Sequence, residues 1–307
     1  MDKTKKMKNK IILLFAISIW ASVAWAQDEL LDMLEDKSLK NAPVIATYKS
    51  TRIVNLHSNE QMKAKHLDFR IQHRFGPVDI SESNQYGFYN MFGLDGAVIR
   101  LGFEYGVTDK LMIGAGRSTV DKAYDGFVKY KVLQQSKKMP ISINYFGNAA
   151  INTIAWPDRT REYPFSARWS FVNQLIISKK FNDFISATLA PTVVHHNLVS
   201  QRSEPNTNYA VGIGTSIRIT PSIRFNAEFI PRLNGRNEPN GNPYYDAFAF
   251  GLDFETGGHV FQLHFTNARG LIEQQFITRN INPLTINEPR FGFNLSRTFS
   301  FDKQQKW

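Results

Sequence analysis

Apolar and polar residues alternate along most of this chain with a period of two. Between Phe165 and Ser178 one phase carries Phe165, Ala167, Trp169, Phe171, Asn173, Leu175 and Ile177. The other carries Ser166, Arg168, Ser170, Val172, Gln174, Ile176 and Ser178. Successive side chains of a strand point to opposite faces, so the stretch reads as one long strand with an oily face and a polar one. The same pattern recurs from Leu67 to Phe75, Ala97 to Gly106, Val128 to Val132, Ile185 to Val193, Asn208 to Ile219, Ser222 to Phe229 and Phe261 to Phe265. Lys110–Ser118 is Gly-rich and weakly patterned, and is assigned as a strand because its neighbours need a partner.

The connections alternate as well. Short ones fall at Thr108–Lys110, Ser136–Lys138, Phe181–Asp183, Thr220–Ser222 and Gly257–Gly258. Long ones, rich in Gly, Pro, Asn and charge, fall near 76–95, 118–125, 151–164, 197–206, 232–244 and 267–288. Tight periplasmic turns, loose extracellular loops and an even strand number describe an outer-membrane barrel. The expected fold is all-β, a transmembrane antiparallel up-and-down β-barrel of about twelve strands. A soluble sandwich would alternate too, but its strands are usually shorter and its links keep no such order. On the barrel reading the oily faces meet lipid and the polar faces line the inside, since a closed sheet pairs every backbone group in hydrocarbon. Arg297, Asn173 and His73 fall in the lipid-facing phase, so Arg297 requires either a bulge or a place near the interface.

The N-terminus carries a lysine-rich segment, the apolar run Ile11–Trp20 and the A-x-A site Ala24–Trp25–Ala26. Together these predict a signal peptide over 1–26, cleaved on export. Its removal takes away five lysines and Asp2, lowering the formal net charge from +10 to +6. The basicity is then no argument for nucleic acid, and none is expected as a partner. The chain has no cysteine, so neither a lipid-anchored N-terminal cysteine nor a disulfide supports it. Residues 27–64 are read as a periplasmic N-terminal arm, with a short amphipathic turn at Leu30–Leu34 and Ile45–Ser58 tucked against the periplasmic mouth. The barrel is read over 65–301 and a periplasmic tail over 302–307.

Several of these segments resemble the β-barrel family called domain of unknown function 5777. They are LDFRIQHRFG at Leu67–Gly76, FGLDGA at Phe92–Ala97, TDKLMIGAGRS at Thr108–Ser118, DGFVKYKVLQQ at Asp125–Gln135 and GFNLSRTF at Gly292–Phe299. The resemblance covers nearly all of the chain after about residue 45. It implies a bacterial outer-membrane barrel and supplies no reaction, cofactor or catalytic residue.

The charges in the inward phase are the functional lead. They are Arg70, Arg74, Arg100, Lys129, Lys131, Arg168, Arg218 and Arg224, with Asp68, Glu104, Glu228, Asp253 and Glu255. A basic excess in a pore lowers the barrier for negative solutes, so one expectation is a porin-like channel for passive diffusion with mild anion preference. The other is a closed barrel braced by Arg–Glu pairs, serving as a scaffold or binding partner in an envelope assembly. The partners expected are outer-membrane lipid, a small anionic solute, and a periplasmic or surface protein. No enzyme is expected, because no His-x-Ser triplet offers a nucleophile and base on one face of a strand. His195 and His196 point to opposite faces and cannot readily share a metal ion. Gly212 and Gly214 lie in a strand with no helix after them, which excludes a phosphate loop and suggests room left in a crowded lumen.

Overall fold

The computed structural model describes residues 42–78, 91–156, 160–235, 243–283 and 289–302. The expected signal peptide, the Leu30–Leu34 turn and the tail beyond Asp302 lie outside them. The chain divides into two compact units, Met1–Pro43 with Ser136–Lys138, and Val44–Gln135 with Met139–Trp307. The barrel and all that is described below belong to the second.

Twelve strands close into one antiparallel barrel. They are β1 (His66–Pro77), β2 (Ala97–Gly106), β3 (Leu111–Ser118), β4 (Tyr124–Leu133), β5 (Ser142–Ile151) and β6 (Trp169–Lys180). There follow β7 (Ile185–His196), β8 (Thr207–Arg218), β9 (Ile223–Ile230), β10 (Ala247–Thr256), β11 (His259–Thr266) and β12 (Arg290–Ser300). Each strand pairs with its sequence neighbours, and β1 closes the ring on β12 through Leu67↔Phe299 to Arg74↔Gly292. Tight links join β2–β3, β6–β7, β8–β9 and β10–β11 at one end. Long links join β1–β2, β5–β6, β7–β8, β9–β10 and β11–β12 at the other. Two links depart from the expected order: the β3–β4 link, expected to be long, covers only 119–123, and the β4–β5 link, expected to be short, covers 134–141.

The alternation sorts the side chains as expected. Leu101, Phe103, Ile113, Tyr130, Leu175, Leu189, Ile213, Phe261 and Leu263 are exposed on the outer wall. Asp68, Arg70, Gln72, Arg74, Arg100, Glu104, Asn144, Gln174, Asn226 and Asn294 are buried inside it. That is the reverse of a soluble protein, and it fits an outer wall solvated by acyl chains. Near the long-loop end the outer wall carries an aromatic ladder. Phe75, Phe291, Phe265, Phe250 and Phe248 follow one another at centroid separations of 5.7, 5.5, 5.8 and 5.8 Å. Such rings sit at the membrane–water interface of barrels.

The three residues out of phase are each accommodated. Arg297 is exposed opposite His259, the first residue of β11, with its guanidinium 5.0 Å from the Phe299 ring. It therefore lies at the short-turn rim, and no bulge is needed. His73 stacks on Phe293 at 4.9 Å. The Asn173 carboxamide accepts a hydrogen bond from the Tyr145 hydroxyl at 2.6 Å.

One expected strand is shorter than its pattern. β6 begins at Trp169, and Phe165–Arg168 forms a 3₁₀ turn. Pro164 stands before it, and its carbonyl accepts the Ala167 N–H at 3.0 Å, which closes the turn.

Candidate functional site in the barrel lumen

The barrel interior is filled by two segments of the same chain. The first is 44–62, expected at the periplasmic mouth. It is polar but not charged throughout, and its Thr47, Ser50, Thr51, Asn55, Ser58 and Asn59 match a wall of amides and charges better than they match lipid or an oily core. It enters from the short-turn end, where the Val44 N–H donates to the Gln135 carbonyl at 2.7 Å. It returns to the same end, where the Lys65 N–H donates to Gly106 at 2.9 Å. Between these points it forms a hairpin, with the Ile53 N–H bonded to the Leu56 carbonyl at 2.8 Å and Ser58 N–H to Thr51 at 2.9 Å. The assignment of all of 27–64 to a periplasmic arm is thereby corrected: 44–62 lies within the lumen.

The hairpin tip is held by one carboxylate. Glu228 of β9 accepts the backbone N–H groups of Val54, Asn55 and Leu56 at 3.1, 2.8 and 3.1 Å. The tip carbonyls are met by wall amides, Gln262 Nε2 to Ile53 at 2.9 Å and Asn294 Nδ2 to Val54 at 3.2 Å. Lower down, Tyr48 and Thr188 share a hydrogen bond at 2.7 Å, and the Lys129 ammonium donates to the Glu60 carbonyl at 2.6 Å. Apolar packing accompanies this. Leu56 lies over Gly212, where an added Cβ would come within 2.7 Å of it, and Ile53 occupies the space beside Gly214. The two glycines do leave room, and the room is taken by the hairpin. Met112, Phe127, Phe146, Val172, Ile176 and Val194 complete the apolar side of the interior.

The second segment is the start of the β11–β12 connection. It turns inward and forms a six-residue helix, α1 (Glu273–Thr278), all of whose residues are buried. Leu271, Ile272, Phe276 and Ile277 are buried with it. Arg74 joins the two segments, bonding the Asn55 carboxamide and the carbonyls of Ala268 and Gly270.

The candidate residues divide accordingly. Arg70, Arg74, Arg100, Glu104, Lys129, Arg224 and Glu228 are buried in the lumen, as are Asp68 and Asp253. Arg70 contacts Asp68 at 2.9 Å and Glu104 at 3.7 Å, and donates to Ser50 and Thr51 at 3.0 and 2.9 Å. Arg100 makes a two-pronged pair with Asp125 at 2.8 and 2.6 Å. Its guanidinium fills the space over Gly102 and Gly116, where a side chain would collide with it. Arg224 donates to the carbonyls of Ala46 and Thr47, both at 3.4 Å. Lys131 shares their phase but is only half-buried, close to the bulge that ends the β4–β5 pairing.

Three inward assignments are corrected. Arg168 precedes β6 and leaves the lumen for the long-loop end, donating to the carbonyls of Asn152 and Ile154 at 3.0 and 2.7 Å and lying 4.3 Å from the Trp156 ring centre. Arg218 ends β8 and reaches toward the Phe184 ring at the short-turn rim, at 5.9 Å. A long cationic stem at a strand end can carry its charge out to water. Glu255 is exposed at the same rim, paired with Lys49.

Arg52 and His57 belong to the hairpin and were not singled out by phase, because 44–62 has no period to read. Arg52 lies 3.3 Å from Glu273 and 3.9 Å from Glu104. Burial pulls its pKa down against the pull of Glu273, and burial pushes Glu273 up against the pull of Arg52. His57 is wedged between the rings of Phe146 and Phe127 at 4.1 and 5.0 Å. Burial, and then the Arg52 charge, hold it well below 6.5. Among the described residues no group of His, Asp or Glu is arranged to hold a metal ion.

Solved structures similar to this chain include outer-membrane porins and channels. The NanC porin is 10% identical with a TM-score of 0.48, over 75% of this chain and 98% of its own. The KdgM porin is 10% identical with a TM-score of 0.45, over 76% and 99%. The COG4313 outer membrane channel from Pseudomonas putida F1 is 13% identical with a TM-score of 0.47, over 78% and 98%. No curated protein matches the chain in sequence. The family model of the membrane-bound β-barrel domain of unknown function 5777 matches residues 48–299, from within the lumen hairpin to the penultimate residue of β12, and the chain belongs to that family.

Proposed function

We propose that this protein is an outer-membrane barrel closed by its own N-terminal segment, acting as a membrane-anchored binding or scaffold protein and not as an open diffusion pore. The observation that carries this reading is the seat of the hairpin tip. Three consecutive N–H groups converge on Glu228 of β9, deep in the lumen, and the tip carbonyls are bonded to Gln262 of β11 and Asn294 of β12 on the same stretch of wall. Unpaired polar groups at that depth would cost roughly 1–3 kcal/mol each, so the segment is held there by the satisfaction of both sides. Outer-membrane placement is supported by the export signal, the aromatic ladder and the ordered short and long links.

Planar-bilayer recording of the full chain tests the reading. The expected result is no steady conductance, with current appearing when residues 44–62 are deleted. A large, stable conductance from the intact chain would overturn it.

One observation favours a second reading, gated passage. The hairpin adds no strand to the barrel; the isolated Arg52↔His57 bridge is its only ladder pairing among the described residues. It is tied by side chains, and a ligand or partner could release it without opening the wall. Arg70, Arg74, Arg100, Lys129 and Arg224 would then face the pore, and anions would pass more readily than cations. Reversal potentials of the deleted form in a salt gradient test this; cation preference would defeat it.

A further inference from the structure

At the long-loop end, above α1, lies a cavity of about 430 Å³ that the lumen reading does not use. Its size falls within the range of small-molecule sites, roughly 300–1,000 Å³. Its floor is α1 and its walls come from the β3–β4, β5–β6 and β7–β8 connections. It lies at the end away from the short turns.

The lining is chemically biased. Arg161, Arg168 and Arg279 carry positive charge, against Asp121 as the one carboxylate among the lining residues. Asp121 is already paired with Arg279 at 3.3 Å. Arg168 lies 4.3 Å from the Trp156 ring centre, Trp156 stacks on Tyr163 at 4.3 Å, and Arg161 lies 5.0 Å from the Tyr163 ring centre. The two guanidiniums thus flank the ring pair. The hydrogen bonds of Arg168 to the loop carbonyls engage one of its two Nη atoms. On the floor, Gln274 donates through Nε2 to Asn148 at 2.5 Å, while its Oε1 is buried without a partner. A buried acceptor without a partner in a residue that lines a cavity calls for a donor, such as a hydroxyl.

Guanidiniums that read an anion, aromatic surface and an open acceptor meet in one molecule when it is an acidic sugar. We propose that this cavity binds a saccharide carrying a carboxylate or phosphate, free or displayed on a surface glycolipid. The anion meets Arg161 and Arg168, and a hydroxyl donates to Gln274 Oε1. The proposal deepens the surface-binding reading and rests on α1 staying in the lumen as its floor.

Calorimetric titration of the detergent-solubilised full chain tests it, using glucose, glucuronate, glucose 6-phosphate and lipopolysaccharide as probes. Glucuronate or glucose 6-phosphate is expected to bind at least about tenfold more tightly than glucose. Gln274→Leu, and independently the surface variant Arg161→Gln, should each weaken that binding by about tenfold. Binding of lipopolysaccharide in addition to the free acidic sugar would identify the surface glycolipid as a source. Three outcomes overturn the proposal: no free sugar binds, glucose binds equally well, or lipopolysaccharide binds while every free sugar fails. Bilayer conductance of the same preparation separates the two claims. A silent barrel that binds no sugar sinks this inference alone, and a conducting one sinks the closed-lumen reading.

Discussion

The Arg52 guanidinium of the lumen hairpin lies 3.3 Å from the Glu273 carboxylate of α1, and both are sealed from water. This pair links two segments 221 residues apart in sequence inside a wall that neither belongs to. Burial opposes both charges, so the pair is held by mutual need rather than by net attraction. Arg52→Met should therefore loosen the hairpin by about 3–5 kcal/mol, because it strands Glu273 and weakens the setting of Glu104. The double change Arg52→Met with Glu273→Gln should recover most of that loss. Hydrogen exchange across 44–62 reads both; equal loss in the single and double variants would contradict the account.

Glu228 gives a sharper test of what holds the tip. Glu228→Leu removes the acceptor of three buried N–H groups, each worth roughly 1–3 kcal/mol when left unpaired. The amides of Val54, Asn55 and Leu56 should exchange at least a hundredfold faster, and bilayer recordings should show intermittent current. Glu228→Gln keeps an acceptor oxygen and should lie between this variant and the native chain. Native-like protection in Glu228→Leu would mean that the tip is held elsewhere.

The wall of this barrel was legible in the sequence, and its contents were not. Alternation gave most strands their faces, β3 being placed only by its neighbours' need for a partner, and the order of most tight and loose links gave the even count. Phe165–Arg168 misled because its residues keep the two-residue rhythm although Pro164 starts a 3₁₀ turn. The hairpin escaped because 44–62 carries no period at all. Two signals for it were present. Val172 and Ile176 occupy the polar phase of the very stretch that suggested a water-facing side, and Phe127, Phe146 and Val194 do the same on neighbouring strands. Inward apolar residues on consecutive strands require an apolar occupant, and Ile53 and Leu56 supply it. Gly212 and Gly214 marked where it would lie. The inward charges, read by phase as a lining for solutes, are instead its hydrogen-bonding seat.

The lodged state should weaken in mild acid through His57. The ring is faced by Arg52, Lys129, Arg100 and Arg70 as well as by Glu273, and it stays neutral while buried. Once released into water it takes up a proton below about pH 6.5. Lodging is thus fully favoured above that pH and loses up to about 1.4 kcal/mol per unit below it. Glu273 works in the opposite sense: burial raises it, so it takes its proton first in the lodged state as pH falls toward 4.5. The His57 part is therefore read between pH 7 and 6 as the difference between the native chain and a variant without the imidazole. Protease sensitivity of 44–62 should rise more over that interval in the native chain than in His57→Phe, whose ring fits between Phe127 and Phe146. A native chain indifferent to this interval would sink the assignment.

On the outer wall, Tyr145 and Asn173 settle how a carboxamide survives beside acyl chains. The Tyr145 hydroxyl reaches Asn173 by lying across Gly147, where an added Cβ would come within 3.0 Å of the hydroxyl oxygen. Tyr145→Phe leaves the Asn173 oxygen without a donor in a region where water offers none, at a cost of about 1–3 kcal/mol. Asn173→Val in that background removes the unpaired group and should restore or exceed native stability. Gly147→Val, by pushing the Tyr145 ring aside, should imitate Tyr145→Phe, although its own backbone bonds are untouched. Urea-dependent folding into lipid vesicles measures all three. Were Tyr145→Phe to fold as stably as the native chain, this stretch of wall would have to lie in water, and the height of the barrel in the membrane would need to be redrawn.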